Sequence, residues 1–513
     1  MHTGSLKFVK NAFSNLVAGG ASAIMAVVLP YYFVRDFSHD EFSLWVLVLQ
    51  LAAYVNFLNF GVQIAVGRYV AHALSRDDQA EAEDILTAGL QILTVLAGAA
   101  FLLLMAISFL LPVAFTKINP AMLGTARSML FWIGGALTLG LPFSAYFGVF
   151  VGLQRNDIPA TISLVSKAGL AVALIWTAGR THNLETVAQV YFAVSLIGYL
   201  LQYIFFKIVC PNWRLRLASN LPVARKEVIS YCLSLTVWSV SMLLVNGIGT
   251  TIVGIYDFKS VAAFGVALNI ITFFVGLFRA IISPLLQVFA KLHARHETAR
   301  LISLFEFSSY VTSILLMIVS CWMVLPAQLL FRLWIGPQMA LVSVPLFIIL
   351  VFANAIRNSA TPYANYLLAI GEQRKVYLSP FAEGVSNFVT SIIGAALFGA
   401  TGVAWGVFAG AIVGVAANYF YNFRRTLPPG FSKWHYFRQN IADPLALAIP
   451  MLLVFWLGTT FGISFVWTIP AMILATIPSL FQVWRAYRGA LGDLKTARAE
   501  PALEEPLPGG ETI

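Results

Sequence analysis

The chain has 513 residues, of which 59% are hydrophobic and only 11% are charged, and its mean hydropathy is +0.82. About a quarter of the residues of a soluble domain are charged, so this composition excludes a water-soluble fold and predicts a surface that faces lipid. The net charge is +10. The basic residues lie in short links between apolar stretches. This placement indicates that they orient the chain in the membrane, and it argues against nucleic-acid binding. We therefore expect an all-α polytopic membrane protein with no nucleic-acid partner.

About 14 stretches of the chain are long and apolar enough to be transmembrane helices, each of which needs about 20 residues. The predicted spans are 16–34, 42–66, 85–111, 128–152, 160–178, 187–209, 230–255, 262–286, 303–325, 341–369, 380–398, 402–423, 445–459 and 463–484. The chain after the last span ends in a stretch rich in proline, glutamate and glycine, which predicts a disordered tail.

The distribution of basic residues predicts the orientation of the spans. With a cytoplasmic N terminus, 23 of the 32 lysine and arginine residues fall in cytoplasmic links or in the tail, and 6 fall on the opposite side. The remaining three, Lys167, Arg279 and Arg357, fall inside spans. Cytoplasmic loops carry an excess of lysine and arginine, so both termini are predicted to be cytoplasmic.

An internal repeat is visible when the sequence is shifted along itself so that Arg76 aligns with Arg295. At this shift, which we call the repeat offset, Asp78 also aligns with Glu297, and the segment 152–155 aligns with 371–374. Because each repeat holds six spans, an even number, the two halves insert in the same sense. The sequence predicts two six-helix lobes, 1–215 and 216–430, followed by two additional transmembrane helices in 431–486 and a disordered cytoplasmic tail, 487–513.

Polar side chains recur inside several predicted spans, where a charge at the bilayer centre costs about 3 kcal/mol on insertion scales. The predicted substrate-binding residues of a hydrated cavity are Arg357, Arg279, Lys167, Asn354, Asn358, Asn269, Asn59 and Gln63. Glu383, in the eleventh span, is the candidate ion-coupling residue. The alternative interpretation is that the amides form hydrogen bonds between helices and that Lys167 extends to the membrane interface.

The excess of buried cations over carboxylates favours an anionic guest, such as a diphosphate or an acidic sugar, because guanidinium groups bind phosphate oxygens in pairs. Arg357 carries most of this hypothesis, since it is deep in its span and its own span contains no acidic residue. The mechanism requires Arg357 to border a water-filled space and to have no neutralising side chain.

Motifs for catalysis are missing from the sequence. There is no Gly-Lys dipeptide, and therefore no Walker A loop, and there is no HExxH, GxSxG or CxxC motif. The three cysteines, Cys210, Cys232 and Cys321, are too widely separated to suggest a metal site or a disulfide framework. We expect no enzymatic activity, no cofactor and no metal.

Three segments resemble one transporter family. Asn365–Arg374, Gly399–Gly406 and Tyr256–Asn269 resemble the polysaccharide-transporter branch of the multidrug/oligosaccharidyl-lipid/polysaccharide (MOP) exporter superfamily, which includes the Wzx-type O-antigen flippases. The resemblance implies a central cavity between two lobes and transport by alternating access. The implied cargo is an undecaprenyl-diphosphate-linked oligosaccharide, which is moved across the bacterial inner membrane for biosynthesis of surface polysaccharide, either lipopolysaccharide O-antigen or exopolysaccharide.

The resemblance also implies partners, namely the lipid-linked oligosaccharide and membrane lipids, with a polysaccharide polymerase and a chain-length regulator as candidate protein partners. Two alternatives stay open: an ion-coupled multidrug or metabolite antiporter, and a flippase for a peptidoglycan lipid precursor. Drug/proton antiporters of the superfamily often carry an acidic residue in the first helix. The first predicted span has none, which weighs against the drug antiporter.

Overall fold

The computed structural model describes residues 25–59, 61–214, 221–372 and 375–499. Over these ranges the chain is almost entirely helical and contains no strand, which confirms the predicted all-α class. The α-helices are α1 (25–36), α2 (His39–Ala53), α3 (Val62–Leu74), α4 (Gln79–Ala114), α5 (Leu123–Gly152), α6 (Asp157–Thr181), α7 (Leu184–Val209), α8 (Leu221–Asn246), α9 (Ile248–Tyr256), α10 (Val261–Ile282), α11 (Pro284–Ala294), α12 (Thr298–Val324), α13 (Ala327–Ile335), α14 (Pro337–Ser359), α15 (Thr361–Ile370), α16 (Leu378–Ala417), α17 (Phe423–Thr426), α18 (Lys433–Phe437), α19 (Asp443–Thr460) and α20 (Phe465–Ala499).

The membrane-spanning helices agree with the predicted spans. Among the described residues, 11 helical stretches are long and apolar enough to cross a membrane, and 12 if the bent pair Trp238–Asn246 and Ile248–Tyr256 is one span. One of these stretches, Leu378–Thr426, contains the predicted spans 11 and 12, which are separated at Gly399 by non-helical backbone. The helix α1 belongs to the predicted first span, whose beginning lies outside the described residues. The chain is a multi-pass membrane protein.

The helices form two compact units. The described residues of Met1–Ser283, Pro326–Asn358 and Glu372–Leu427 form the first unit, and those of Pro284–Leu325, Ser359–Gly371 and Pro428–Ile513 form the second. The predicted division into two six-helix lobes by residue number stays a prediction. Helix α20 continues to Ala499, into the segment 487–513 that was expected to be disordered, and residues 500–513 lie outside the described ranges.

The first unit has an apolar core built mainly from α3, α4, α5 and α8. Helices α3 and α5 approach closely, because a Cβ atom added at Gly67 would lie 3.0 Å from the carbonyl oxygen of Gly148. Helix α2 begins with a capping box, in which the Ser38 hydroxyl accepts from the amide of Glu41 and the Glu41 carboxylate accepts from the amide of Ser38. This cap fixes the start of the helix that lines the candidate site.

The second unit packs α12 against α11, α15, α19 and α20. Its core contains a cluster of aromatic rings around Phe305, whose centroid lies 5.2 to 6.2 Å from those of Tyr363, Tyr366, Phe431 and Tyr436. The indole nitrogen of Trp322 donates to the hydroxyl of Thr476 at 3.1 Å, which joins α12 to α20. This hydrogen bond between spans is the kind that stabilises helix packing in lipid.

The internal repeat appears in the backbone of two turns. The turns before α4 and α12 each contain a non-glycine residue with φ of 57°, Asp77 in the first and His296 in the second. Each turn is also closed by a backbone hydrogen bond of 3.1 Å. The amide of Asp78 donates to the carbonyl of Ala73, and the amide of Glu297 donates to the carbonyl of Leu292. Each residue of the second turn follows its counterpart in the first by the repeat offset. The repeat offset of the sequence therefore also relates these two turns of the structure.

Several predicted spans are broken rather than continuous. The second span contains the 3₁₀ segment Tyr54–Asn59 and then Gly61, with φ of 79°, before α3 begins. The seventh bends by 43° at the break before Ile248, and the tenth breaks at Ala360, before Pro362 in the first turn of α15. Proline and left-handed glycine both interrupt the helical hydrogen-bond ladder, which explains the breaks at Gly61 and before Pro362.

Candidate functional site

A cavity of about 430 Å³ lies within the first unit. Its aromatic lining comes from Phe33, Phe42, Trp45, Tyr191 and Phe264. Its polar lining comes from Gln50, Asn56, Asn246, Thr250, Asn269, Thr272, Asn354 and Arg357. No aspartate or glutamate is among the described residues that line it. The cavity therefore combines several amides, aromatic rings and one arginine.

Helices α2 and α10 line the cavity at equivalent positions of the repeat. Helices α2 and α10 contribute five pairs of lining residues that are separated by the repeat offset: Trp45 and Phe264, Val46 and Gly265, Leu49 and Leu268, Gln50 and Asn269, Ala53 and Thr272. This is the same offset that relates the two turns. The repeat therefore supplies the same positions to both walls.

The same two helices touch through equivalent residues. The amide of Ala262 donates to the hydroxyl of Ser43 at 3.3 Å, and a Cβ atom added at Gly265 would lie 2.5 Å from a methyl group of Val46. In a symmetric pair, a residue that contacts its own equivalent must lie close to the symmetry axis. These contacts are the ones expected if a pseudo-twofold axis of the predicted repeat passes between α2 and α10.

Arg357 lies on α14, and its guanidinium is only partly satisfied. Its Nε donates to the Oε1 of Glu383 on α16, and its Nη1 donates to the Oδ1 of Asn354 at 3.4 Å. The Nη2 atom is buried and has no hydrogen-bond partner among the described residues. The side chains of Arg357 and Glu383 are 13% and 12% exposed. The pair is thus largely removed from water.

The hypothesis sets two requirements for Arg357, and the structure agrees with only the first of them. Arg357 does border a cavity, as the hypothesis requires. It also carries a neutralising side chain, Glu383, which the hypothesis required it to lack. Glu383 belongs to the next span. The absence of an acidic residue from the span of Arg357 therefore did not exclude an ion pair. In this structure Arg357 is one half of an ion pair and does not act as a lone cation.

The fold holds Glu383 against a glycine surface of its own helix. Backbone at Gly399, with φ of 58°, reverses α16, and the Oδ2 of Asp257 accepts from the amide of Ala400 at 3.3 Å where the helix resumes. A Cβ atom added at Gly414 would lie 2.6 Å from the Oε2 of Glu383. A larger residue at Gly414 would displace the carboxylate, so this glycine makes room for the ion pair.

The other predicted site residues divide into two groups. Asn269 and Asn354 line the cavity together with Arg357. Arg279 is on the exposed part of α10, outside the lining, and repels Arg357 electrostatically. Asn358 is buried and donates to the carbonyl of Asn354 at 2.8 Å, as a hydrogen bond within the helix.

The remaining three predicted residues are not among those that line the cavity. Lys167 is half-buried on α6. The Oδ1 of Asn59 accepts from the amide of Gln63 at 3.4 Å, next to the break between the 3₁₀ segment and α3. Three amides of the lining, Gln50, Asn56 and Asn246, were not among the predicted site residues. Gln50 could have been found, because the repeat offset aligns it with Asn269, which was predicted.

Metal chemistry has no ligand cluster to support it in the part of the chain that the structure describes. No group of three histidine, cysteine, aspartate or glutamate side chains there could hold a metal ion. The three cysteines are buried, and none of them forms a disulfide bond.

No protein-family model matches the sequence, and no curated protein matches it. Solved structures do match. The lipid II flippase MurJ in an inward closed conformation has a TM-score of 0.68 and 13% identity, and the match covers 95% of this chain and 99% of that one. An inward-facing multidrug resistance MATE family transporter of the MOP superfamily has a TM-score of 0.60 and 12% identity, covering 80% and 94%.

A MOP superfamily transporter from Pyrococcus furiosus, described as having a binding pocket of reverse polarity, matches with a TM-score of 0.61 and 11% identity, covering 82% of this chain and 95% of that one. At such low identity these similarities establish the fold and leave the activity open. The chain has the fold of the MOP superfamily transporters.

Proposed function

We propose that this protein is a flippase for undecaprenyl-diphosphate-linked oligosaccharides and serves the synthesis of a surface polysaccharide. The observation that carries the proposal is the cavity, where Arg357 lies among amides and aromatic rings. Arginine binds phosphate oxygens, amides bind sugar hydroxyls, and aromatic faces pack against sugar rings. A diphosphate joined to a sugar is a guest that would use all three kinds of group.

The extent of the structural match also supports a lipid flippase. The MurJ match covers 95% of this chain, whereas the MATE match covers 80%. The additional coverage is comparable in length to the two helices that follow the twelve of the repeat. A flippase must accommodate a polyprenyl tail in the membrane while its polar head group crosses the cavity, and a transporter of soluble drugs has no such requirement.

Alternating access would move the head group. The two halves of a repeat can rock about the site between them, so that the cavity faces first one side of the membrane and then the other. In our proposal the predicted residues Arg357, Asn354 and Asn269 bind the head group, with Gln50 opposite. Arg279 would attract the diphosphate toward the cavity. The orientation with both termini in the cytoplasm, the inner-membrane location and the partnership with a polymerase and a chain-length regulator belong to this proposal.

A proteoliposome assay tests the function. Vesicles containing the purified protein and a fluorescent undecaprenyl-diphosphate oligosaccharide would be treated with a membrane-impermeant quencher, and the protected fraction followed over time. We expect the wild-type protein to translocate the lipid, and Arg357→Ala to lower the rate at least tenfold. Arg76→Ala is the matched control, because Arg76 is an exposed arginine that pairs with Glu81 far from the cavity. Equal rates for the wild type and Arg357→Ala would refute the site.

A peptidoglycan precursor is the second candidate cargo, favoured by the structural match to a lipid II flippase. The same vesicles loaded with labelled lipid II separate the two, since each cargo predicts a preference for its own lipid. Ion-coupled efflux of small cationic drugs, without translocation of either lipid, would instead support the antiporter.

A further inference from the structure

The ion pair between Arg357 and Glu383 lies at the wall of the cavity, with the arginine on the cavity side. Arg357 and its neighbour Asn354 are lining residues, and Glu383 is not. We propose that Glu383 is an internal counter-ion that the anionic group of the cargo displaces from Arg357, and that Glu383 takes up a proton when it is displaced. This inference rests on the proposed function and specifies how its site recognises a phosphate-bearing cargo.

Arg357 keeps hydrogen-bond donors that its contact with Glu383 does not use. A guanidinium has five N–H groups. In Arg357 the Nε donates to Glu383, and the Nη1 has only the long contact to Asn354. The Nη2 has no acceptor among the described residues. A phosphate oxygen in the cavity would satisfy the donors that are now incomplete. Phosphate binds guanidinium in the same two-point manner as carboxylate, so the two anions compete for one cation.

Displacement from Arg357 would leave the Glu383 carboxylate without its counter-ion. Glu383 is 9% exposed as a residue and lies against Gly414. A buried carboxylate that loses its counter-ion is strongly destabilised and becomes more stable with a proton bound. Binding of a doubly charged diphosphate therefore couples to protonation of Glu383, and by thermodynamic linkage protonation of Glu383 favours binding.

The helices around the ion pair carry few charged residues. Glu383 is the single charged residue of α16. Helix α8 presents Ser241 and Leu244 to the neighbouring Gly384, and its charged residues, 225–227, are about 21 Å further along its axis. Helix α9 carries no charged residue. Helix α10 contributes Arg279, which repels Arg357 and would attract the incoming anion. Within the described residues, the proton therefore has one acceptor next to the pair, the Glu383 carboxylate.

Isothermal titration calorimetry on the purified full-length protein tests the inference. The probe is P1,P2-dimethyl diphosphate, a diester whose two charges do not change between pH 5 and pH 9. Titrations at one pH in two buffers with different ionisation enthalpies give the number of protons taken up. We expect uptake of about one proton per diphosphate bound, and an affinity that falls up to tenfold for each unit of rising pH. No proton uptake by the wild-type protein would overturn the inference.

Variants make the assignment specific. Glu383→Gln should bind the probe at least tenfold more tightly, without proton uptake and without pH dependence. Arg357→Gln should lose binding. Glu81→Gln, in an exposed ion pair, is the matched control and should behave as the wild type. If Glu383→Gln folds and still takes up a proton, Glu383 is the wrong group. If it does not fold, the wild-type proton count alone decides.

The result also separates this inference from the proposed function. Proton-linked binding of the diphosphate without translocation of any lipid-linked oligosaccharide would refute the flippase and leave the counter-ion intact. Translocation together with proton-independent diphosphate binding would do the reverse.

Discussion

Arg357 and Glu383 are 26 residues apart and on different helices, and they form an ion pair that the sequence alone did not reveal. Burial of a charge inside a predicted span shows that it needs a partner or water. The identity of the partner depends on how neighbouring helices are rotated, and apolar spans with weak periodicity do not fix that rotation. The same reasoning separates Asn354, which lines the cavity, from Asn358, which is bonded within its helix.

The ion pair leads to a prediction about stability. Glu383→Gln should lower the free energy of unfolding by about 3–5 kcal/mol, because removing one partner of a buried pair leaves an uncompensated charge. The double substitution of Arg357 and Glu383 by methionine should be close to neutral, since it removes both charges and keeps most of the volume. Thermal unfolding of the detergent-purified proteins measures both. A double variant less stable than Glu383→Gln would contradict this account.

Cys210 gives a prediction about reactivity at the end of α7, outside the candidate spans. The side chain is buried, and burial raises the pKa of the Cys210 thiol to about 11. The thiolate is the reactive form, so at pH 7.5 Cys210 should react with maleimide about 100-fold more slowly than an ordinary thiol. The rate should rise about tenfold per pH unit up to the pKa.

The Cys210 measurement uses a protein in which Cys232 and Cys321 are replaced by alanine. The control carries an additional exposed thiol, introduced as Ser75→Cys in the link after α3. Equal labelling rates at the two positions at pH 7.5 would mean that the Cys210 thiol is accessible and ordinary.

At the scale of the helices, the sequence predicted the elements and the repeat well and their breaks less well. The repeat offset recurs in the turns before α4 and α12 and in the paired lining of the cavity. The breaks at Gly61 and before Ile248 were missed, because each depends on local backbone geometry at a glycine within an otherwise apolar stretch. Hydrophobic periodicity carries no information about such points.

The contact between helices α2 and α10 can be tested by cross-linking. Ser43 and Ala262 are both fully buried, and the hydroxyl of Ser43 accepts from the amide of Ala262. Cysteines at both positions, in a protein without its native cysteines, should form a disulfide under mild oxidation, detected by mass spectrometry of the linked peptides. If α2 and α10 separate during alternating access, the bridge should also abolish translocation, and reduction should restore it.

The matched control for this pair is Ser43→Cys with Ala267→Cys, which moves the second thiol about 7.5 Å along α10. It should form little disulfide. Efficient disulfide formation in both pairs would indicate that the two helices slide along each other. The fixed contact between Ser43 and Ala262 would then be contradicted.

At the scale of the whole chain, composition predicts an all-α membrane protein, and the structural matches agree with that fold class over nearly the full length. The cargo is not encoded at this scale. Solved structures with a similar fold include a lipid II flippase and a multidrug transporter, so the fold by itself does not determine the cargo. That is why Arg357 and the amides around it carry the functional proposal, and why their test must be biochemical.

The orientation in the membrane is the prediction that belongs to the whole molecule. With 23 basic residues on one side and 6 on the other, the positive-inside rule places both termini in the cytoplasm. Green fluorescent protein fused after residue 513 should fluoresce, because it folds in the cytoplasm, and alkaline phosphatase fused after Lys117 should be active, because that link is predicted to be outside. The reciprocal fusions are the controls and should be silent. Phosphatase activity at the C terminus would reverse the orientation and would put the positively charged links on the wrong side for a cargo supplied from the cytoplasm.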